Sequence, residues 1–341
     1  MAMANSNEFK AFSGNNTNGP QTATSTDQFR ALTKAFSGLG VDEKSFISIL
    51  ANWDTKQRQI YRKNTRELFK EDERQFERWN EEHVLQIRQE FLRLKDAVVV
   101  YTMHPWERDA RLFKEALVKE AQLPHDQLHI IIETAATRTS EQLLGARRAY
   151  HSLFEHSIEE DILSHIHNTH ERKLLVGLVS SYRYEGPQVN EELAKSEARE
   201  FMKIIKDGGK KQLIEDEGVV RILSTRSKLH LKALYSYYKE ISGNYMDVDL
   251  GGSLILKQAV QCLCTPQTYF SKILDASLRL DVDEQARDSV TRVIATRADE
   301  DIKQIAEEFY KRFGTTLTNK IEEIANGSYK EFLLALVTKS A

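Results

Sequence analysis

Apolar residues along this chain recur at intervals of three and four, the spacing that puts them on one face of an α-helix. Three stretches show the pattern most clearly: Leu128-His129-Ile130-Ile131-Ile132, Val219-Val220-Arg221-Ile222-Leu223 and Val290-Thr291-Arg292-Val293-Ile294. Each runs into a polar corner, Ala136-Thr137-Arg138-Thr139, Ser224-Thr225-Arg226-Ser227 or Ala295-Thr296-Arg297-Ala298. Each corner opens another helix with helical spacing and aromatics, as in Leu143, Tyr150 and Phe154, then Leu234, Tyr237 and Tyr238, then Ile305, Phe309 and Phe313. A weaker fourth copy spans Ile47 to Trp53, with Trp53 standing where the others carry arginine. Every copy closes on a second apolar helix: Leu94 to Val100, Leu174 to Val179, Leu254 to Leu263, and Phe332 to Val337.

The chain therefore reads as four copies of a helical unit of about 70–85 residues, each with room for about five helices. No stretch alternates strictly enough to require strands, so the expected fold class is all-α. The copies span 27–105, 106–187, 188–268 and 269–341. A polar, aperiodic tail, 1–26, precedes them and is expected to be disordered. Its Gly14 and Gly19 have the spacing of a phosphate loop, but Pro20-Gln21 stand where Lys and Ser/Thr would be needed. The three corner arginines are expected to be buried against helix-end carbonyls.

Composition narrows the partners. The formal net charge is −3, so no global basic field recruits nucleic acid or an anionic membrane. Membrane binding would need a local patch or a bridging cation. Cys262 and Cys264 sit two apart in an apolar run, a spacing that disfavours an internal disulfide. No apolar run approaches the length of a membrane span, and the N-terminus has no apolar signal core, so the expected location is cytoplasmic.

One stretch has the makings of a ligand loop: Phe36-Ser37-Gly38-Leu39-Gly40-Val41-Asp42-Glu43. Two glycines flank one apolar residue, so several carbonyl oxygens can turn toward one point. Converging carbonyls suit a hard cation such as Ca²⁺. Taken alone, the loop also reads as a helix–turn–helix corner.

Four repeats, a Gly-x-Gly loop before an Asp-Glu helix start, and the Thr-Arg corners together resemble the annexins. Trp106-Glu107-Arg108-Asp109-Ala110, Ser181-Tyr182-Arg183-Tyr184-Glu185-Gly186 and Arg221 to Ser227 resemble plant annexins in particular. The resemblance covers residues 27–341. It implies a curved disc of four five-helix repeats that docks peripherally on anionic phospholipid through Ca²⁺. It implies carbonyl donors at Phe36, Gly38 and Gly40, and a bidentate acid at Glu90 from a second loop of the same repeat. Open coordination positions would then be left for water or a lipid phosphate. Leu39, at the loop tip, is the expected membrane contact. Gly40 and Glu90 stand farther apart than the family usually shows, with the extra residues around Glu73 to Gln86. Val41 replaces the family's threonine, and Asp42 is expected to take over the capping role.

The other three repeats depart from the pattern. Lys119 to Pro124 has no glycine, and Ile166 aligns with the acid. Lys206 to Lys211 lacks the spacing, and Leu250 stands near the acid position beside Asp249. Arg279 and Asp281 replace the glycines of the last repeat, and Ile324 its acid, beside Glu323. At most one or two Ca²⁺ per chain are expected. His165, His167 and His170 could bind zinc only if they met on one face. A family histidine linked to peroxidase activity aligns with Asn52, and the cysteine pair is incomplete because Ala136 stands opposite Cys262, so no enzyme activity is expected. Val220-Arg221-Ile222 resembles a segment proposed in the family to touch actin, although its spacing suits the core. By resemblance, stress responses, membrane traffic, calcium conductance and self-association come into view. The competing expectation is a calcium-independent helical scaffold.

Overall fold

Short polar side chains start most of the helices by accepting the first free backbone N–H groups. Thr139 with Gln142, and Ser157 with Glu160, form reciprocal capping boxes, while Asn168, Asp216, Ser227, Asp283 and Thr316 cap by acceptance alone. Gly243 and Gly314 end helices at φ +83° and +71°, angles that suit glycine.

The computed structural model describes residues 25–35, 38–66, 68–71, 77–122, 127–208, 212–250 and 252–339. Most of the expected tail, 1–24, lies outside them, and the first helix already includes Ser25 and Thr26. The chain divides into two compact units. One holds the described residues before 38 together with 41–90; the other holds 38–40 and the chain from 91 onward.

The first compact unit contains α1 (Ser25–Ala35), α2 (Glu43–Leu50), α3 (Thr55–Asn64), β1 (Phe69–Glu71), β2 (Glu77–Trp79) and the start of α4 (Glu81–Thr102). Its core gathers Leu32, Trp53, Tyr61, Leu68 and Phe69. Trp53 packs against Phe29 and Tyr61 at 5.3 and 5.1 Å between ring centroids and donates from Nε1 to Gln28 Oε1 at 2.9 Å. The fold is all-α as expected, with one small addition among the described residues, an antiparallel β1–β2 ribbon with Phe69 opposite Trp79. It falls at the inserted segment, and three-residue strands are too short for alternation to register.

One correction concerns α4. The family resemblance implies a loop at Glu90, and the sequence pattern a closing helix from Leu94, yet α4 runs unbroken for 22 residues. Its sequence contains neither Gly nor Pro, and Glu81 and Glu82 favour the positive end of the helix dipole.

The second compact unit carries the rest. A run of five helices comprises α5 (Pro105–Gln122), α6 (Leu128–Thr137), α7 (Ser140–Phe154), α8 (Ile158–His165) and α9 (Thr169–Val179). Next come α10 (Glu191–Gly208), α11 (Gln212–Glu215), α12 (Glu217–Thr225), α13 (Lys228–Ser242), α14 (Met246–Asp249) and α15 (Leu254–Cys264). The last run is α16 (Pro266–Ser277), α17 (Glu284–Arg297), α18 (Ile302–Phe313), α19 (Leu317–Ile324) and α20 (Gly327–Thr338). One continuous apolar core joins them.

The corner arginines find carboxylates rather than the expected carbonyls. Arg138 clasps Asp109 through two hydrogen bonds of 2.6 and 2.9 Å, Arg226 holds Glu197 at 2.7 and 3.0 Å, and Arg297 turns to Asp301 at 2.6 Å. Other cations take the helix-end carbonyls: Arg183 those of Leu223 and Arg226, Lys228 those of Thr137 and Arg138, and Arg108 that of Ala295. A carboxylate gives buried Arg138 a full opposite charge, whereas the carbonyls around buried Arg183 supply only part of one, and burial lowers its pKa to about 10.

Candidate calcium and membrane site

Gly38 and Gly40 both hold left-handed backbone angles, φ +96° and +80°. A side chain at Gly38 would put its Cβ 2.3 Å from the Ile324 carbonyl oxygen; one at Gly40 would come within 3.0 Å of that of Asn326 and 3.1 Å of Tyr329. Only glycine fits both the angles and the space. Between them, Leu39 forms a one-residue parallel bridge with Ala325. Its N–H donates to Ile324 O at 3.0 Å, and its carbonyl accepts from Asn326 N–H at 2.7 Å.

Leu39 is thus 1% exposed and part of the core, which corrects its expected place at a membrane-facing tip. Two backbone hydrogen bonds and burial of the isobutyl group, worth about 1.5–3 kcal/mol, hold it inward. Downstream, Val41 is buried and Asp42 caps α2, accepting from Ser45 N–H at 3.2 Å and from Ser45 Oγ at 2.7 Å.

Among the remaining expected ligands, Phe36 lies outside the described residues. Glu90 is the tenth residue of α4, buried at 7% exposure, and belongs to the other compact unit. Its carboxylate therefore comes from within a helix, not from a loop. Gly38, Leu39 and Gly40 are held together on the turn between α19 and α20.

The later repeats close their corresponding positions with apolar side chains: Ile166, Leu250 and Ile324 are buried at 3%, 1% and 5% exposure. Asp249 accepts from Tyr238 OH at 2.8 Å, and Glu323 pairs with Lys320. Residues 123–126 and 209–211, which take in part of two degenerate loops, lie outside the described residues. In the last repeat Arg287 donates from Nη2 to Leu280 O at 3.1 Å and from Nε to Val282 O at 3.3 Å. Buried Arg93 pairs with Glu284 and, at 3.3 Å, with Asp288, whose carboxyl is raised by burial despite that partner. Two guanidinium groups thus occupy this loop and the helix start after it. The missing glycines mark this loop as an expected departure from the pattern; nothing local in the sequence pointed to Arg93.

Among the described residues no three His, Cys, Asp or Glu side chains converge as a metal cluster. A site built mostly from carbonyls would contain none. His165 Nδ1 lies 2.8 Å from both Asp161 O and Ser164 Oγ. Cys262 and Cys264 are free and buried; burial pushes both thiols up, Cys264 to about 12. No described helix is long and apolar enough to cross a membrane.

Residues 270–336 match the Annexin family model. The chain is 46% identical over 319 residues to Annexin D4 of Arabidopsis thaliana, covering 92% of this chain and 98% of that one. Among solved structures, annexin III superposes with a TM-score of 0.63 at 24% identity, over 95% and 97% of the two chains. A calcium-bound annexin (Sm)1 superposes with a TM-score of 0.60 at 15% identity, over 93% and 91%. At these identities the two structures show a shared fold.

Proposed function

This chain belongs to the annexin family, a family of calcium-dependent membrane-binding proteins, and from that premise we propose that it docks peripherally on anionic phospholipid from the cytoplasm, as a binding protein and not an enzyme. The observation that carries the reading is the pair of left-handed glycines at 38 and 40, where no side chain fits. The proposed donors are the carbonyls of Phe36, Gly38 and Gly40, with Glu90 supplying the acid. When bound, calcium supplies a positive bridge between this acidic chain and lipid phosphate. The Leu39 bridge to Ala325 fixes the loop, and the Asp42 cap fixes the helix that follows it. Buried thiols that keep their protons support the non-enzymatic part of the reading.

Calcium-linked stress responses, membrane traffic, calcium conductance, and contact with actin or a second copy extend the proposal by family likeness alone. A calcium-independent scaffold is the second reading. It is favoured by the last repeat, where Arg287 takes the carbonyls of Leu280 and Val282.

Sedimentation with phosphatidylserine vesicles, with and without calcium, tests the proposal. Wild type is expected to pellet only with calcium, and Glu90→Gln to pellet less. Equal pelleting in chelator favours the scaffold. Calorimetric titration is expected to find at most one or two sites; three or four would overturn the assignment of degenerate later repeats.

A further inference from the structure

A cavity of about 290 Å³ opens at the seam of α9 and α12, lined in part by Lys173, Gly177, Glu215, Glu217, Arg221 and Ser224. Ser224 is 6% exposed, and its Oγ is buried without a hydrogen-bond partner. Such a hydroxyl is disfavoured unless something else completes it. The neighbouring Thr225 satisfies itself by donating back to Arg221 O at 2.7 Å, the usual recourse on a helix. Ser224 instead faces Gly177, where a Cβ would stand 2.4 Å from its Oγ. The missing side chain at Gly177 is what lets the hydroxyl lie against α9 at the edge of the cavity.

Arg221 lies one turn before Ser224 on the same face of α12 and is exposed, and its guanidinium has no ion pair or hydrogen bond among the described residues. Lys173, across the seam, uses one donor on Glu217 at 3.0 Å. Two cations and two carboxylates line the seam, but Glu217 is already engaged by Lys173, which leaves the Arg221 guanidinium fork and the Ser224 hydroxyl as donors without a partner beside the exposed carboxylate of Glu215. A complementary ligand is small and rich in acceptor oxygens.

We propose that this seam binds a small oxyanion of the phosphate class, with Arg221 as a bidentate donor, Lys173 as a second cation and Ser224 Oγ as the buried hydrogen bond. The ligand is either free phosphate or the monoester headgroup of a lipid. The site stands apart from the glycine loop and from calcium.

The test is titration calorimetry of the full chain with inorganic phosphate, in calcium-free buffer at constant ionic strength. A single saturable site is expected, about tenfold weaker in Arg221→Gln and in Ser224→Ala. Without phosphate, Ser224→Ala should melt no lower than wild type, because its hydroxyl serves no internal partner. A second arm compares calcium-free binding to phosphatidic acid and phosphatidylcholine vesicles. Selective loss of phosphatidic acid binding in Arg221→Gln identifies the lipid source; loss of inorganic phosphate binding alone identifies a soluble one. No saturable heat in wild type, undiminished binding in both variants, or a lowered ligand-free melting temperature in Ser224→Ala overturns the proposal.

Discussion

The corner after the second helix of a repeat is built in two ways in this molecule. In the first compact unit Trp53 fills it, packed against Phe29 and Tyr61. In the second, Arg138 and Arg226 fill it, and each reaches a carboxylate 29 residues earlier, Asp109 or Glu197. The last repeat shows what governs the choice. Counting 29 back from Arg297 reaches Thr268, which cannot supply a charge, so the guanidinium turns forward to Asp301. The aromatic corner packs on apolar neighbours and adds one neutral hydrogen bond to Gln28, whereas an ionic one commits a distant residue of full charge. Ionic corners should therefore fail sharply when one partner is lost.

Asp109→Ala gives the largest expected effect. Arg138 is 4% exposed, and a charge left there without its partner should cost about 3–5 kcal/mol, read as a fall in the urea midpoint. Glu197→Ala should cost less, because 30% of the Arg226 side chain stays in water. Equal losses in the two variants would break the argument that burial sets the cost of a corner.

The two loops before α2 and α17 sharpen the same contrast between an apolar solution and a charged one. Gly38 has no room for a side chain; Arg279, at the matching position of the last repeat, is exposed. Gly38→Val should cost about 2–4 kcal/mol, from a left-handed angle plus a clash with the Ile324 carbonyl. Arg279→Gly should stay within about 0.5 kcal/mol of wild type. Tolerance of valine at 38, with an unchanged urea midpoint, would mean that the Leu39 bridge does not constrain the loop.

Much of this was legible in the sequence for local reasons. Helical periodicity and corner motifs repeat at short range, and the loss of threonine at 41 leaves Asp42 as the nearest acceptor able to cap α2. The insertion around Glu73 to Gln86 was visible as excess length, but not as the ribbon of Phe69–Glu71 with Glu77–Trp79. What escaped depends on distant partners. Leu39 reads as a tip residue until Ile324 and Asn326, nearly 300 positions away, engage its backbone. Glu90 reads as a loop acid by family spacing, yet neither Gly nor Pro interrupts the chain from Glu81 onward, and the helix continues through it. The Arg287 contacts fall outside any ligand pattern, since the carbonyls it takes, Leu280 and Val282, match Leu39 and Val41 and not the expected donor positions.

The smallest expected effect concerns the buried polar groups behind the second repeat. Burial alone would push the Asp161 carboxyl up, but Lys114 Nζ at 2.8 Å and Tyr150 OH at 2.5 Å hold it below its ordinary value of 3.8. The same contact and burial drive the Tyr150 hydroxyl far upward, so it remains a donor throughout. A carboxylate with a depressed folded pKa adds stability that is complete above its unfolded value and is lost as pH falls through the folded one. The loss should thus begin near pH 4 and grow below it. Asp161→Asn keeps the shape but gives up the charge, and should cost about 1–2 kcal/mol at neutral pH. The gap to wild type should narrow as the pH drops, because protonated Asp161 is no better a partner for Lys114 than asparagine. Urea midpoints measured from pH 7 to pH 3 decide the point. Parallel curves would place the acid sensitivity elsewhere, and a widening gap would reverse the sign argued for this carboxylate.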